Sequence, residues 1–163
     1  MSAAADARGQ VVSLQIVTEH RAKPRRVPEV RALVDHGLEG DVHGKKQAGG
    51  RRQVLIIDQT IHGILGVQPG DLREQITVDF PALDALPVGT QVRIGEATLE
   101  LTGSCDPCTH IGGLLSVADP EAFERQLEGR RGQLARVVEV DGKGVIRIGD
   151  PIVPLGVRTP IPG

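Results

Sequence analysis

The stretch QVRIGEATLEL, Gln91 to Leu101, reads as two short strands folded into a hairpin. Gln91 to Ile94 and Thr98 to Leu101 place Val92, Ile94, Leu99 and Leu101 at a spacing of two, and Gly95-Glu96 supplies the turn. A period of two marks a strand with one face buried, and a glycine dipeptide between two such runs marks a tight reversal. The same pattern recurs outward in both directions. Leu134 to Val140 and Val145 to Ile148 are expected to form a last hairpin over Asp141-Gly142, with Pro151 to Leu155 added as an edge strand. Toward the N-terminus, Val11 to Val17, Glu29 to Val34, Val54 to Ile57 and Leu72 to Val78 read as strands.

Helices are few. Asp58 is suited to cap a short helix over Gln59 to Leu65, closed by Gly66. Leu83 to Leu86 is a turn or one helical turn. Asp119-Pro120 starts the one longer helix, Glu121 to Glu128. Three stretches read as loops: His20 to Pro28, residues 103–113, and the Gly-rich, charged residues 36–52. Short strands with regular turn signals and no repeated strand–helix alternation predict a mainly β chain. The expected form is a closed or partly closed β-barrel with a few short peripheral helices. Residues 1–10 read as a flexible leader, 11–155 as one domain and 156–163 as a tail.

Composition narrows the function. The chain has 163 residues, enough for one domain with one core. Its formal net charge is −2, whereas bulk nucleic-acid affinity needs a positive excess. Two Phe, no Trp and no Tyr leave almost nothing on which to stack bases. Val, Ile, Leu and Ala must fill the core, and 21 Gly with 11 Pro disfavour a long-helix bundle. No run reaches the roughly 18 apolar residues of a membrane helix. Met1 to Gln10 shows no apolar segment of a secretory signal, so a cytoplasmic protein without nucleic-acid or membrane partners is expected.

Three places carry chemistry. Cys105-Asp106-Pro107-Cys108 sets two thiols three residues apart, a spacing that serves a shared metal, a local disulfide, or a nucleophile with its partner. No second such pair exists to complete a four-ligand zinc site, although His110, His43 or His36 remain as donors. A pair of half-buried turn residues is the ordinary alternative. Gly40 to Lys46 and Gly49 to Arg52 combine backbone N–H groups with Lys and Arg, a pattern suited to a compact anion. It is no Walker A loop, and charge alone fits a solvated loop better. Arg73-Glu74, inside the expected strand, should point to opposite faces, with a surface salt bridge as the ordinary reading. His20, His36 and His62 carry no informative spacing.

The ordered series resembles a known family. Gly37-Leu-Glu-Gly-Asp-Val-His43, Arg52-Gln53-Val54, Gly70-Asp-Leu-Arg-Glu-Gln-Ile-Thr77, Leu86-Pro-Val-Gly-Thr90, Ile94-Gly95, Pro107-Cys108 and Gly149-Asp150 follow the MOSC domain pattern from about Val11 to Leu155. This is the C-terminal domain of molybdenum-cofactor sulfurases, which also occurs alone in bacteria. The resemblance implies a MOSC-type β-barrel, similar to the pyruvate kinase barrel. It also implies a site for the molybdenum cofactor (molybdopterin) or for sulfur destined for metal–sulfur centres. The signature cysteine falls on Cys108, as persulfide carrier or molybdenum ligand, and Cys105 lies close enough to resolve a persulfide. The family's Arg-Glu-Asn falls on Arg73, Glu74 and Gln75, with Gln in place of Asn. Asp41, His43, Lys45, Arg52, Arg73 and Glu74 are thereby expected to bind the cofactor.

The implied function is a cofactor-binding or sulfur-carrying protein whose partner is a pyridoxal-phosphate-dependent cysteine desulfurase or a molybdoenzyme. Pyridoxal phosphate itself is expected in the partner, not in this chain. Two alternatives stand beside it: a molybdenum-dependent reductase component for N-hydroxylated compounds, and a non-enzymatic barrel with a structural Cys/His metal.

Overall fold

The computed structural model describes residues 9–19, 23–41, 50, 53–104 and 132–157. In chain order its elements are β1 (Gly9–Ile16), β2 (Arg25–Arg26), β3 (Glu29–Leu33), β4 (Gly37–Leu38), β5 (Val54–Asp58), α1 (Gln59–Leu65), β6 (Ile76–Asp79), a 3-10 turn (Leu83–Ala85), β7 (Thr90–Ile94), β8 (Ala97–Ser104), β9 (Gln133–Val140), β10 (Val145–Arg147) and β11 (Pro151–Val157).

The hairpin read from Gln91 to Leu101 is β7 and β8, paired antiparallel with Ile94 opposite Ala97. Its alternation has the expected cause: Val92, Ile94, Leu99 and Leu101 are fully buried. Gly95 sits at φ +55, and a Cβ there would lie 2.4 Å from an Asp150 carboxylate oxygen and 2.9 Å from the Val145 carbonyl. The turn therefore packs against the chain near β10 only because it carries no side chain.

Seven strands close on themselves in the order β1-β6-β5-β9-β8-β7-β11, and β11 returns to β1 through Gly9 opposite Ile152 and Gln10 opposite Pro151. Closure removes the exposed edges that an open sheet must protect. Among the described residues β5 and β6 are the one parallel pair, joined through α1. All five residues of β5 are buried, as a strand covered on both faces requires. Asp58 caps α1 by accepting from Thr60 N at 3.2 Å, and Gly66 ends it at φ 69 in the left-handed region. Inside the barrel, aliphatic side chains such as Leu14, Ile56, Ile76, Ile94, Leu99 and Ile152 pack with Phe80. β10, β3 and β4 form a separate small sheet. Among the described residues no helix is long and apolar enough to cross a membrane.

Several expectations need correction. β11 is not an edge strand: it lies between β7 and β1, and it runs to Val157. β9 and β10 do not pair as a hairpin. The Glu96 carboxylate accepts from Val145 N at 3.0 Å and its carbonyl accepts from Asp141 N at 2.8 Å, drawing the chain over the β7–β8 turn. β10 then pairs with β3. The strand placed at Leu72 to Val78 starts only at Ile76. Two-residue strands, β2 and β4, occur where loops were expected, and β1 begins at Gly9 within the stretch read as a leader. The helix expected at Glu121 to Glu128 lies outside the described residues.

Barrel closure is sensitive at Gly9, where a Cβ would stand 2.4 Å from the Asp79 carbonyl and 2.5 Å from Phe80 Cβ. Gly9→Ala is expected to lower stability by about 1–3 kcal/mol. Gly63→Ala, on an open face of α1, is expected to raise it by up to about 1 kcal/mol. Urea denaturation of the two variants measures both; a neutral Gly9→Ala would contradict the tight closure.

Candidate functional site

Residues 68–77 build the centre of the site. Gln68 N donates to the Asp71 carboxylate at 2.7 Å, Asp71 N to Gln68 O at 3.0 Å, and Arg73 N to Gly70 O at 2.9 Å. This turn, not a strand, carries Arg73 and Glu74, so strand alternation does not govern where they face. Gly70 sits at φ 93 and Arg73 at φ 64. A non-glycine residue in that region costs about 1–2 kcal/mol. Such strain persists only where the surroundings over-determine it, and it clusters at functional sites.

Glu74 provides the restraint. It is 1% exposed, and it does not form the surface salt bridge that the sequence suggested. Its Oε1 accepts from Gly70 N at 2.9 Å, and its Oε2 accepts from Thr77 Oγ1 at 3.2 Å and meets His62 Nε2. Its carbonyl accepts from Gln15 Nε2 at 3.1 Å. His62, which sequence spacing did not single out, is thus part of the cluster. The missing signal was the inward face of α1, where Ile61 and His62 are buried while Ile64 is exposed.

Gln75 extends the network. Its N donates to Leu55 O at 3.1 Å, and its side-chain carbonyl accepts from Leu55 N at 2.7 Å. Its amide nitrogen reaches the Asp41 carboxylate at 3.5 Å. Asp41, 2% exposed, also accepts from Val17 N at 2.8 Å. The start of the Gly-rich loop is therefore pinned by a buried carboxylate. Its far end is pinned by Gln53, which accepts from Val137 N at 3.0 Å and donates to Gly50 O at 2.9 Å and to Asp35 at 3.2 Å.

The cysteine segment hangs from the neighbouring strands. Ser104 pairs with Gln133, and Gln133 with Ile56 of β5. Gln133 Nε2 donates to Leu83 O and Leu86 O, both at 3.1 Å, which fixes the 3-10 turn. That turn carries Asp84. Burial raises the Asp84 pKa, the Gly132 amide lowers it, and the nearby Asp58 charge raises it, so it stands above 3.8. The Gly-rich segment leads into β5 at its Val54 end, whereas Ser104 and Gln133, which flank the cysteine segment, stand level with Ile56 toward its other end.

Of the expected set the structure describes Asp41, Arg73 and Glu74, and Asp41 is joined to the turn bearing the other two through Gln75. Cys105, Cys108, His43, Lys45 and Arg52 lie outside the described residues. Among the described residues no three His, Cys, Asp or Glu side chains form a metal site. The Asp41 and Glu74 carboxylates are engaged by protein donors.

The sequence profile of the MOSC domain matches residues 43–153, most of the chain. The chain belongs to the MOSC domain family. MOSC proteins are linked in general to molybdenum-cofactor binding or sulfur-related functions. Among solved structures, the YUAD protein from Bacillus subtilis is similar at 24% identity and a TM-score of 0.76, covering 89% of this chain and 94% of that one. YiiM from Escherichia coli is similar at 18% identity and a TM-score of 0.67, covering 93% and 72%. YiiM from Geobacillus stearothermophilus gives 18% and 0.68, covering 90% and 75%. At these identities the likeness shows the fold alone. No curated protein matches the chain.

Asp84 gives this MOSC barrel a pH signature. Its folded-state pKa lies above the unfolded value of 3.8, so the folded state holds the proton more tightly. Stability falls as pH rises from 3.8 through the raised folded value and stays lower above it. Asp84→Asn is expected to raise the melting temperature at neutral pH, with the gain vanishing below pH 3.8. Thermal denaturation across that range checks it; an equal gain at every pH would contradict the assigned cause.

Proposed function

We propose that this chain carries sulfur as a persulfide on Cys108 and binds the molybdenum cofactor through Arg73 and the Gly-rich loop, for delivery to metal–sulfur centres. The observation that supports it best is the buried network Asp41–Gln75 and Glu74–His62. It fixes one end of the loop and holds Arg73 in a strained backbone in the turn that leads into β6.

Arg73 supplies a planar set of N–H donors that matches a phosphate. Lys45, Arg52 and His43 add donors from the loop. Asp41 and Glu74 serve the same site from beneath, through the backbone groups they hold. When bound, the cofactor supplies a molybdenum centre for which the soft Cys108 thiolate is a suitable ligand.

Sulfur loading balances without further reagents. The Cys108 thiolate attacks the outer sulfur of a persulfide on a pyridoxal-phosphate-dependent desulfurase. The new S–S bond forms on Cys108, and the donor cysteine leaves as thiolate. For release, the Cys105 thiolate attacks the Cys108 sulfur, expelling hydrosulfide to the acceptor and leaving a Cys105–Cys108 disulfide. A thiol reductant returns that disulfide to the dithiol. The protein works in the cytoplasm, where thiols stay reduced.

Intact mass before and after reductant tests this reading on protein incubated with a desulfurase and cysteine. The wild type is expected to gain one reductant-sensitive sulfur, Cys108→Ser none, and Cys105→Ser at least as much as the wild type, because it cannot resolve the persulfide. Full loading of Cys108→Ser would reject the carrier role. Zinc released only on unfolding would favour a structural metal instead.

A further inference from the structure

His62 is buried on α1 at 5% exposure, yet it is polar and stands outside the residues expected at the site. A helix face packed on β5 and β6 would take an apolar side chain without desolvating an imidazole. Its Nε2 meets Glu74 Oε2, so Nε2 carries the proton. Its Nδ1 has no hydrogen-bond partner in the described structure, which suits a bare ring acceptor better than an unpaired N–H. Among the described residues the one polar contact of this side chain is therefore to Glu74.

What Glu74 holds gives that contact a purpose. Its other oxygen accepts from Gly70 N at 2.9 Å, and Gly70 O accepts from Arg73 N at 2.9 Å. Arg73 stands at φ 64, a conformation an arginine keeps only under restraint. A continuous chain of contacts thus runs from His62 through Glu74 and Gly70 to the backbone of Arg73.

We propose that His62 is a positioning residue of the anion site: it fixes the Glu74 carboxylate, which keeps the Gly70–Arg73 turn closed and Arg73 set to receive a phosphate group. This rests on the anion-binding role proposed above for Arg73. His62 touches no ligand itself. Loss of its Nε2 donor frees the Glu74 carboxylate to rotate, and the turn then relaxes toward an ordinary backbone that aims Arg73 elsewhere.

Calorimetric titration of the full chain with inorganic phosphate tests it. Arg73→Ala and His62→Leu are both expected to weaken phosphate binding at least about tenfold, the usual scale when an orienting partner is lost. His62→Gln, whose amide nitrogen reaches about as far as Nε2, is expected to recover most of the affinity. His62→Asn, whose shorter amide does not reach Glu74, is expected to behave like His62→Leu and decides the matter if the leucine variant fails to fold. Ile61→Val removes a buried methyl from the same helix without touching Glu74 and is expected to bind as the wild type does. Unchanged binding in Arg73→Ala, or no binding by the wild type, removes the anion role and this inference with it. Loss in Arg73→Ala with full affinity in His62→Leu or His62→Asn overturns the His62 role alone. Equal loss in Ile61→Val would also overturn it, as a mere effect of stability.

Discussion

A carboxylate withdrawn from water costs several kcal/mol unless donors surround it, and Glu74 is withdrawn almost completely. It is satisfied by a backbone amide, a threonine hydroxyl and an imidazole, drawn from the turn before β6, from β6 itself and from α1. These donors must all be in place before the charge is tolerable. The requirement therefore couples the packing of α1, the register of β6 and the strained backbone at Arg73. Gln15, reaching across from β1 to the Glu74 carbonyl and to Thr77, ties the same point to the strand that closes the barrel. Breaking one member leaves the others with an unpaired buried charge, so the cluster holds or fails together.

The barrel supplies rigidity and buried polar side chains set where the loops begin and end. Asp41 and Gln53 bracket the Gly-rich segment, and Gln133 fixes the strand to which the cysteine segment returns. A loop with fixed ends and changeable content can acquire chemistry without disturbing the core. The Gly-rich segment leads into the Val54 end of β5, and the cysteine segment lies between β8 and β9, where the Ser104–Gln133 pair stands level with Ile56.

Much of this fold was legible where the signals were local. The β7–β8 hairpin followed from alternation about one glycine, and α1 from its Asp58 cap and Gly66 stop. What failed was non-local. Whether Pro151 onward forms an edge or a closing strand depends on Gly9, at the far end of the chain. Whether β10 pairs with β9 depends on Glu96, a turn residue of another hairpin. The site shows the same division. Asp41, Arg73 and Glu74 could be named from a motif. The motif could not tell that Arg73 and Glu74 belong to a turn, or that Glu74 faces inward. His62 was invisible because its partner lies twelve residues away, and only the orientation of α1 brings them together.

The central claim is that a buried network holds Arg73 for the phosphate-bearing molybdenum cofactor. Native and denatured mass measurement of the protein, co-produced with cofactor synthesis, tests it most directly. The account predicts a molybdopterin adduct that appears only under native conditions in the wild type and is absent from Arg73→Ala. An adduct retained at full occupancy in Arg73→Ala would contradict it.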